Sequence, residues 1–182
     1  ERGKTAVDTS WVIVDTRGAA DDSDLLQTAL DSGARFVGLL NHEPVTVSRT
    51  MRVNAHGGRK VELIHGAMSE IECVDVETLF RLDSGSAPSL TIEGLRIAAR
   101  DRLEADYLVF ENRSNRTVSF QDLMVDASRV YRNNETAVGS DVFFNNVCFV
   151  SYGKHSGRLL VFDRQHVWAR QFDVERLKVP SA

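Results

Sequence analysis

The sequence predicts an all-β protein folded as a parallel β-helix (a solenoid) of about five rounds, with a short N-terminal capping α-helix. Three observations support this: a repeated apolar pattern, an interruption at the same place in each copy, and a third short strand per round. The pattern apolar-x-apolar-x-x-apolar-x-apolar starts at Leu90, Val118, Val142 and Val167, with start-to-start spacings of 28, 24 and 25 residues. A repeat of that length cannot bury its apolar faces alone, so consecutive copies are expected to stack as a solenoid.

The interruption indicates a corner in the backbone. Side chains alternate within each half of the pattern, so in a flat strand the extra residue would turn the second half outward. A bend at that residue keeps both halves facing inward. Gly, Asn and Asp tolerate the left-handed conformation that such a bend needs, whereas Gln fits less well. The residues at this position are Gly94, Asp122, Asn146 and Gln171. We also expect the Asn146 amide to stack with Asp122 one round below and Gln171 one round above.

The third strand of each round is a short apolar segment between consecutive copies. Three strands and three turns in each round of ~25 residues are typical of a parallel β-helix. These segments are residues 78–83, 106–112, 128–133 and 157–163. The earlier stretches VTVSRTMRV, VELIHG and EIECVDV predict one further, less regular round.

One helix is predicted, in AADDSDLLQTALDSGAR. Asp22 or Ser23 is the expected N-cap and Gly33 the residue after the last turn. We expect this helix to cover the open edge of the first round, which would otherwise pair with other chains. Its apolar residues at helical spacing are Leu25, Leu26, Ala29 and Leu30.

The length of 182 residues suits one domain. We divide it into an N-terminal strand and capping helix (1–40), the β-helix rounds (41–176) and a tail (177–182). The 26 acidic and 22 basic residues give a net charge of −4, so no basic surface for nucleic acid is expected. No run of ~18 apolar residues occurs, so no membrane partner is expected.

Two sets of residues with possible covalent chemistry are interpreted as inert. Cys73 and Cys148 lie 75 residues apart without Cys-x-x-Cys spacing, which disfavours a zinc site, and we expect free thiols rather than a disulfide. Asn-x-Ser/Thr triplets begin at Asn112, Asn115 and Asn134. We interpret them as chance occurrences in a loop-rich chain rather than glycosylation sites.

The segment VDTRGAADDSDLLQTALDSGARFVGL and the LTIEGLRI type of bend resemble the pectate-lyase-like superfamily of right-handed single-stranded β-helices. VYRN, DVFFNNV and HVWARQFDVE are similar to uncharacterised bacterial members. The resemblance covers nearly the whole chain, and it implies a carbohydrate-associated protein at the cell surface or outside the cell. The superfamily includes polysaccharide lyases, glycoside hydrolases, epimerases and phage tailspikes, so the fold alone does not choose an activity. Family enzymes are usually longer, and here ERLKVPSA provides no evident C-terminal cap.

The resemblance places candidate catalytic groups on the outer face of the third strand segments. Matched by position, that face carries Arg81, Glu111, Arg132 and Asp163, with Asn133 beside Arg132 as a substrate-binding candidate. In an enzyme, a carboxylate would act as acid or ligand and an arginine as base or anion clamp. The alternative is a ladder of alternating charges that pair across rounds ~4.8 Å apart.

A second candidate surface lies before the bend. Its outward column is predicted to run through Thr91, Ser119, Phe143 and Trp168. Phe143 and Trp168 would form a flat aromatic platform for a sugar, or they would pack on each other or under a partner chain. Self-association through this patch or through the open C-terminal edge is the corresponding partner prediction.

Two functions stay open on the sequence. The first is a protein that acts on or binds a polysaccharide, as a lyase or glycoside hydrolase if it is an enzyme. The second is a non-catalytic binding or assembly module, or an inactive fragment of a larger β-helix protein. No cofactor is expected; Ca²⁺ would be required only for a lyase, and no cluster of three aspartates marks its site.

Overall fold

The described part of the chain forms a parallel β-solenoid of about five rounds with one short helix, which confirms the predicted fold class. The computed structural model describes residues 10–16, 20–39, 43–54, 61–83, 89–101, 106–114, 116–127, 129–133, 140–152, 160–161 and 165–177. The helix is α1 (Ser23–Asp31). Every strand pairing is parallel, as a solenoid requires.

The strands form two sheets. The larger, which we call the bent sheet, has the order β1-β2-β5-β7-β9-β11-β13, with β3 also paired to β5. Its strands are β1 (Trp11–Val14), β2 (Phe36–Leu39), β3 (Val45–Val47), β5 (Leu63–Cys73), β7 (Leu90–Ala99), β9 (Val118–Asp126), β11 (Asp141–Tyr152) and β13 (His166–Leu177). The smaller, the short sheet, has the order β12-β10-β8-β6-β4. Its strands are β4 (Met51–Val53), β6 (Thr78–Leu82), β8 (Leu108–Asn112), β10 (Arg129–Asn133) and β12 (Leu160–Val161).

The predicted corners divide each long strand of the bent sheet into a first arm and a second arm. Positive φ angles occur at Gly94 (64°), Asp122 (51°), Asn146 (54°) and Gln171 (53°). The Asn146 side-chain amide donates a 2.7 Å hydrogen bond to Asp122 Oδ1, so the expected contact with the round below is confirmed. Gln171 adopts the same left-handed conformation despite its longer side chain, because the parallel pairing of β11 and β13 continues on both sides of the corner.

The corner of β5 is wider and escaped the repeat pattern. Ala67 (φ 45°) and Met68 (φ 68°) both adopt positive φ, and the register with β7 shifts between His65 and Ser69. Gly66 is needed here because a Cβ atom would lie 2.6 Å from the Gly94 carbonyl oxygen. One additional corner residue therefore explains why this round reads as irregular.

The core consists of inward columns that stack from round to round. The registers join Ile92, Phe120, Phe144 and Ala169 in the first arm, and Ile97, Val125, Phe149 and Val174 in the second. Among the aromatic residues of the core, Phe120 and Phe144 stack with ring centroids 5.2 Å apart, and Phe110 and Tyr131 of the short sheet stack at 6.1 Å. Burial of these rings supplies much of the hydrophobic stabilisation of the later rounds.

Helix α1 covers the edge of the first round by hydrogen bonding to its backbone. Gln27 donates to the carbonyl oxygen of Arg52 (3.0 Å) and accepts from its N–H (2.9 Å), so its amide takes the place of a neighbouring strand beside β4. Asp22 does the same for Thr46 of β3, through its backbone N–H and its carboxylate. The apolar face is narrower than predicted, since Leu25 is 44% exposed. Leu26, Ala29 and Leu30 are buried.

The opposite end is open among the residues that the structure describes. No described strand pairs with the outer edge of β13. Two residues of its inward columns, Val167 and Val174, are 40% and 51% exposed. Phe172 is half-buried and packs against Phe144 and Phe149 with ring centroids 5.3 and 5.0 Å apart. The described part of the chain contains no helix long and apolar enough to cross a membrane.

One triplet read as chance has a structural role. Asn112 is fully buried, and its side-chain oxygen Oδ1 accepts hydrogen bonds of 2.9 Å from both the N–H and the hydroxyl of Ser114. Its amide group donates to the Tyr131 hydroxyl at 3.2 Å. The triplet therefore forms the turn after β8, and its asparagine is not exposed for glycosylation. Asn115 and Asn134 lie outside the described residues. Cys73 and Cys148 are free thiols, as expected.

Candidate functional site

The charged column on the outer face of the short sheet assembles around Glu111. Strand register places Glu111 between Arg81 of β6 and Arg132 of β10. Oε2 accepts a 2.7 Å hydrogen bond from Arg81 Nε and lies 3.0 Å from a terminal nitrogen of Arg113. Oε1 accepts from two nitrogens of Arg132, at 3.1 and 2.7 Å. Both carboxylate oxygens are thus occupied by guanidinium groups of the same chain.

These contacts set the charge state of Glu111. Its side chain is only 4% exposed, and this desolvation raises its pKa. The hydrogen bonds from Arg113, Arg81 and Arg132 act in the opposite direction and prevail, so the pKa lies below its ordinary value of 4.5. A buried carboxylate held in its charged form has no proton to donate at neutral pH, and the geometry matches the charge-ladder interpretation. The catalytic roles of Glu111, Arg81 and Arg132 stay predictions.

The structure does not place the other two candidates of this face, Asp163 and Asn133, against Glu111. The position across from Arg132 on β12 is held by Val161, rather than by the predicted Asp163. The predicted register differs by two residues, because β12 pairs with β10 two residues earlier in the chain than the apolar pattern indicates. Asp163 itself lies outside the described residues. Asn133 is buried next to Asn112, its partner in the register, and its substrate-binding role stays a prediction.

The aromatic column lies on the outer face of the first arm of the bent sheet. The registers place Thr91, Ser119, Phe143 and Trp168 on successive rounds, as predicted. The Phe143 and Trp168 rings are parallel within 9°, with centroids 6.3 Å apart. Trp168 is 60% exposed and Phe143 36% exposed. The rings therefore pack on each other and still present apolar surface to solvent.

A polar column runs beside the aromatic column, two residues further along each strand. The registers join His65, Glu93, Gln121, Asn145 and Arg170. His65 Nδ1 lies 2.8 Å from Glu93 Oε1. This polar column offers both hydrogen-bond donors and hydrogen-bond acceptors, from two amides, a carboxylate, an imidazole and a guanidinium group.

A cavity of about 520 Å³ lies between the second arm of the bent sheet and the following corner. No sequence pattern predicts this cavity, because its lining comes from separate segments, residues 73–77 after β5 and residues 99–101 and 106–107 after β7. The Cys73 thiol on its wall has a pKa raised to about 12 by desolvation, so it is a poor nucleophile. The described acids near it form no metal-holding group of three or more. Its lining residues are Cys73, Val74, Asp75, Val76, Glu77, Ala99, Arg100, Asp101, Asp106 and Tyr107.

Comparison with known proteins yields no match to a family model, to a curated protein or to a solved structure. The pectate-lyase-like superfamily therefore remains a resemblance, while the parallel β-solenoid is shown by the strand pairing itself.

Proposed function

We propose that this chain binds a neutral polysaccharide through the outer face of the first arm of the bent sheet. The observation that carries the proposal is the parallel, exposed Phe143–Trp168 pair. Aromatic faces pack against the apolar C–H faces of sugar rings, and binding surfaces commonly combine such rings with a few polar groups that fix orientation. Adjacent rounds lie ~4.8 Å apart, so the two rings form a platform that continues along the solenoid axis.

The polar column supports a neutral ligand. Gln121 and Asn145 each bring an amide, which donates and accepts at once and so matches the hydroxyl groups of a sugar. Glu93 and Arg170 contribute opposite charges on the same column, so it has no net charge to select an acidic polysaccharide.

Binding is favoured over catalysis by the state of the charged column. Glu111 is buried beneath three arginines, and the polar column beside the aromatic platform holds one acid, Glu93, which is paired with His65. Acid–base cleavage of a glycosidic bond uses two carboxyl groups facing one bond. Among the described residues of the aromatic and polar columns, only Glu93 carries a carboxyl group.

The test is binding to a panel of soluble polysaccharides, namely xylan, mannan, a cellulose derivative and pectate, by affinity electrophoresis and calorimetry. We expect retardation by at least one neutral polymer and loss of retardation in Trp168→Ala and Phe143→Ala. Met124→Ala is the matched control, because Met124 is 43% exposed on the outward face of the second arm. Reducing-end and unsaturated-product assays on the same mixtures are expected to stay at background.

The proposal fails if the wild-type protein binds none of the neutral polymers, or if Trp168→Ala and Met124→Ala bind equally well. Product formation with retained binding would instead establish a catalytic β-helix, and Arg81, Glu111 and Arg132 would then be the first candidates for the catalytic groups.

A second candidate function is assembly with another copy of the chain through β13. The exposed inward residues Val167 and Val174 favour it, because a stacked round would bury them. In an antiparallel pairing of two copies centred between Gln171 and Phe172, Arg170 of each copy would face Asp173 of the other. Light scattering is expected to show a dimer that Val174→Asp and Asp173→Arg disrupt; a monomer at every concentration would remove this candidate.

A further inference from the structure

The aromatic column extends beyond the rounds that the sequence pattern identified. Its register continues from Thr91 to Leu63, from Leu63 to Phe36 and from Phe36 to Trp11. Trp11 and Phe36 belong to β1 and β2, which precede the repeat and lie in the stretch predicted as an N-terminal strand and capping helix (1–40). The column therefore ends in an aromatic pair on both sides: Trp11 with Phe36, and Phe143 with Trp168.

In the N-terminal pair Trp11 is open to solvent, whereas Phe36 is half-buried and the Arg35 guanidinium carbon lies 5.1 Å from its ring centroid. Trp11 is 45% exposed, and its ring lies 5.1 Å from that of Phe36 with a tilt of 43°. The indole reaches over Gly38, where a Cβ atom would lie 3.5 Å from the ring, and its edge approaches the His65 ring at 6.4 Å. Trp11 thus spans the aromatic and the polar columns at this end of the sheet.

The two ends belong to one register column of the sheet. Six strand steps separate Trp11 from Trp168, which at ~4.8 Å per step is roughly 29 Å. The residues between the pairs are Leu63, Thr91 and Ser119, and all three are half-buried. The polar column accompanies them over the central rounds, from His65 to Arg170.

We infer that Trp11 and Phe36 form a second stacking subsite for the same polysaccharide, whose chain lies along the solenoid axis across the rounds. This inference rests on the proposed function and assigns it a ligand of extended shape. Between the two aromatic ends, Thr91 and Ser119 carry small side chains that rise little from the sheet, and Leu63 continues the apolar surface beside Phe36. Binding at one end places the other end of the ligand near its subsite, which raises the affinity for long ligands over short ones.

The two tryptophans make the inference directly measurable. Trp11 and Trp168 are the only tryptophans of the chain, so Trp168→Phe leaves a fluorophore at the N-terminal pair and Trp11→Phe leaves one at the C-terminal pair. The probes are cello-, xylo-, manno- and chito-oligosaccharides, from disaccharide to decasaccharide. Long members of the series that binds are expected to change the emission of both single-tryptophan proteins over the same concentration range.

Calorimetry with the same series tests the energetic contribution. Trp11→Ala is expected to weaken long oligosaccharides about three- to ten-fold, and to leave disaccharides unchanged. Trp168→Ala is expected to weaken ligands of every length, and Met124→Ala to weaken none. If Trp11→Ala loses its fold, the fluorescence of Trp168→Phe still reports on the N-terminal pair, since that protein retains Trp11.

The outcomes separate the two proposals. If Trp168→Ala weakens binding while affinity is independent of ligand length and Trp11 emission does not respond, the second subsite is overturned and the proposed function stands. If no member of any series and none of the polysaccharides binds, the proposed function falls, and this inference falls with it.

Discussion

The two outer faces of the solenoid carry columns of side chains with the same spacing. The charged side chains of one column bind each other, whereas the aromatic rings of the other are exposed to solvent. On the short sheet, the Glu111 side chain is 4% exposed and forms ion pairs with Arg81, Arg113 and Arg132. On the first arm of the bent sheet, Trp168 is 60% exposed and contacts the ring of Phe143 on one side. The charged column is closed upon itself, whereas the aromatic column still presents a face to solvent.

This difference shows why charged residues can mislead a search for function. Ionisable side chains attract attention in a sequence, yet opposite charges on adjacent rounds neutralise each other and leave little capacity for a ligand. Exposed aromatic rings in a continuous column can still pack against a ligand. A contiguous apolar patch on a soluble protein usually marks a binding surface. The comparison predicts that the short-sheet column contributes to stability and the bent-sheet column to binding.

The largest expected effect is on stability, at Glu111. Glu111→Ala leaves three guanidinium groups close together without their common partner and is expected to lower the free energy of unfolding by about 3 kcal/mol. The partial exposure of the arginines limits the loss, because water can reach them. Urea denaturation measures it, and polysaccharide binding by the folded fraction is expected to be unchanged. A variant as stable as the wild type would contradict the closed-column interpretation.

Acidification tests the same column without a change of its shape. The pKa of Glu111 is lowered in the folded state, because hydrogen bonds from three arginines outweigh desolvation. Its contribution to stability is therefore fully present above the ordinary pKa of 4.5 and is lost as the pH falls through the lower folded value. Glu111→Gln is expected to show a shallower loss of stability below pH 4.5 than the wild-type protein, by urea titration at each pH. Parallel curves for the two proteins would show that Glu111 is not the group involved.

The converse variant belongs to the bent sheet. Trp168→Ala removes an exposed ring on the last described strand, so the free energy of unfolding is expected to change by less than about 1 kcal/mol. Its affinity for the neutral polysaccharide is expected to fall about three- to ten-fold. Urea denaturation and calorimetry on one preparation measure both quantities. A large loss of stability with little change in affinity would reverse the roles that the comparison assigns to the two faces.

The sequence was sufficient for the fold because the repeat and its corner are local signals. The extra residue at Asn146 and its equivalents could be recognised from alternation alone, and each of them adopts the predicted left-handed conformation. The β5 round was less clear, since two residues, Ala67 and Met68, share its corner. The solenoid therefore follows from periodicity wherever the corner has one residue.

The candidate sites followed less fully, because they depend on register between distant segments. The pairing of Trp11 with Phe36 joins β1 to the sheet across an intervening helix, and no short-range pattern predicts that contact. The register position opposite Arg132 was equally hard to predict: β12 pairs there through Val161, and the predicted Asp163 lies outside the described residues. The extent of burial of Glu111 was equally hidden, because Arg113 comes from the loop after β8 rather than from the column.

The smallest expected effect is a gain of binding at the middle of the strip. Ser119 lies one round before Phe143 in the aromatic column and is half-buried. Ser119→Phe would extend the platform from two rings to three, so the affinity for short neutral oligosaccharides is expected to rise about two- to five-fold. Calorimetry measures this gain, with Ser119→Ala as the control that removes the hydroxyl without adding a ring.

The sign of this last effect distinguishes two uses of the column. If the rings serve as a sugar platform, a third ring adds a stacking position, and short ligands benefit more than long ones that already reach Trp11. If Phe143 and Trp168 only pack on each other and bind no sugar, the new ring joins that packing and the affinity for oligosaccharides does not change. A gain in affinity that is confined to short ligands would thus support both the platform and its extension to the N-terminal pair. Such a gain requires that the rounds between the two aromatic ends carry no ring in the wild-type protein.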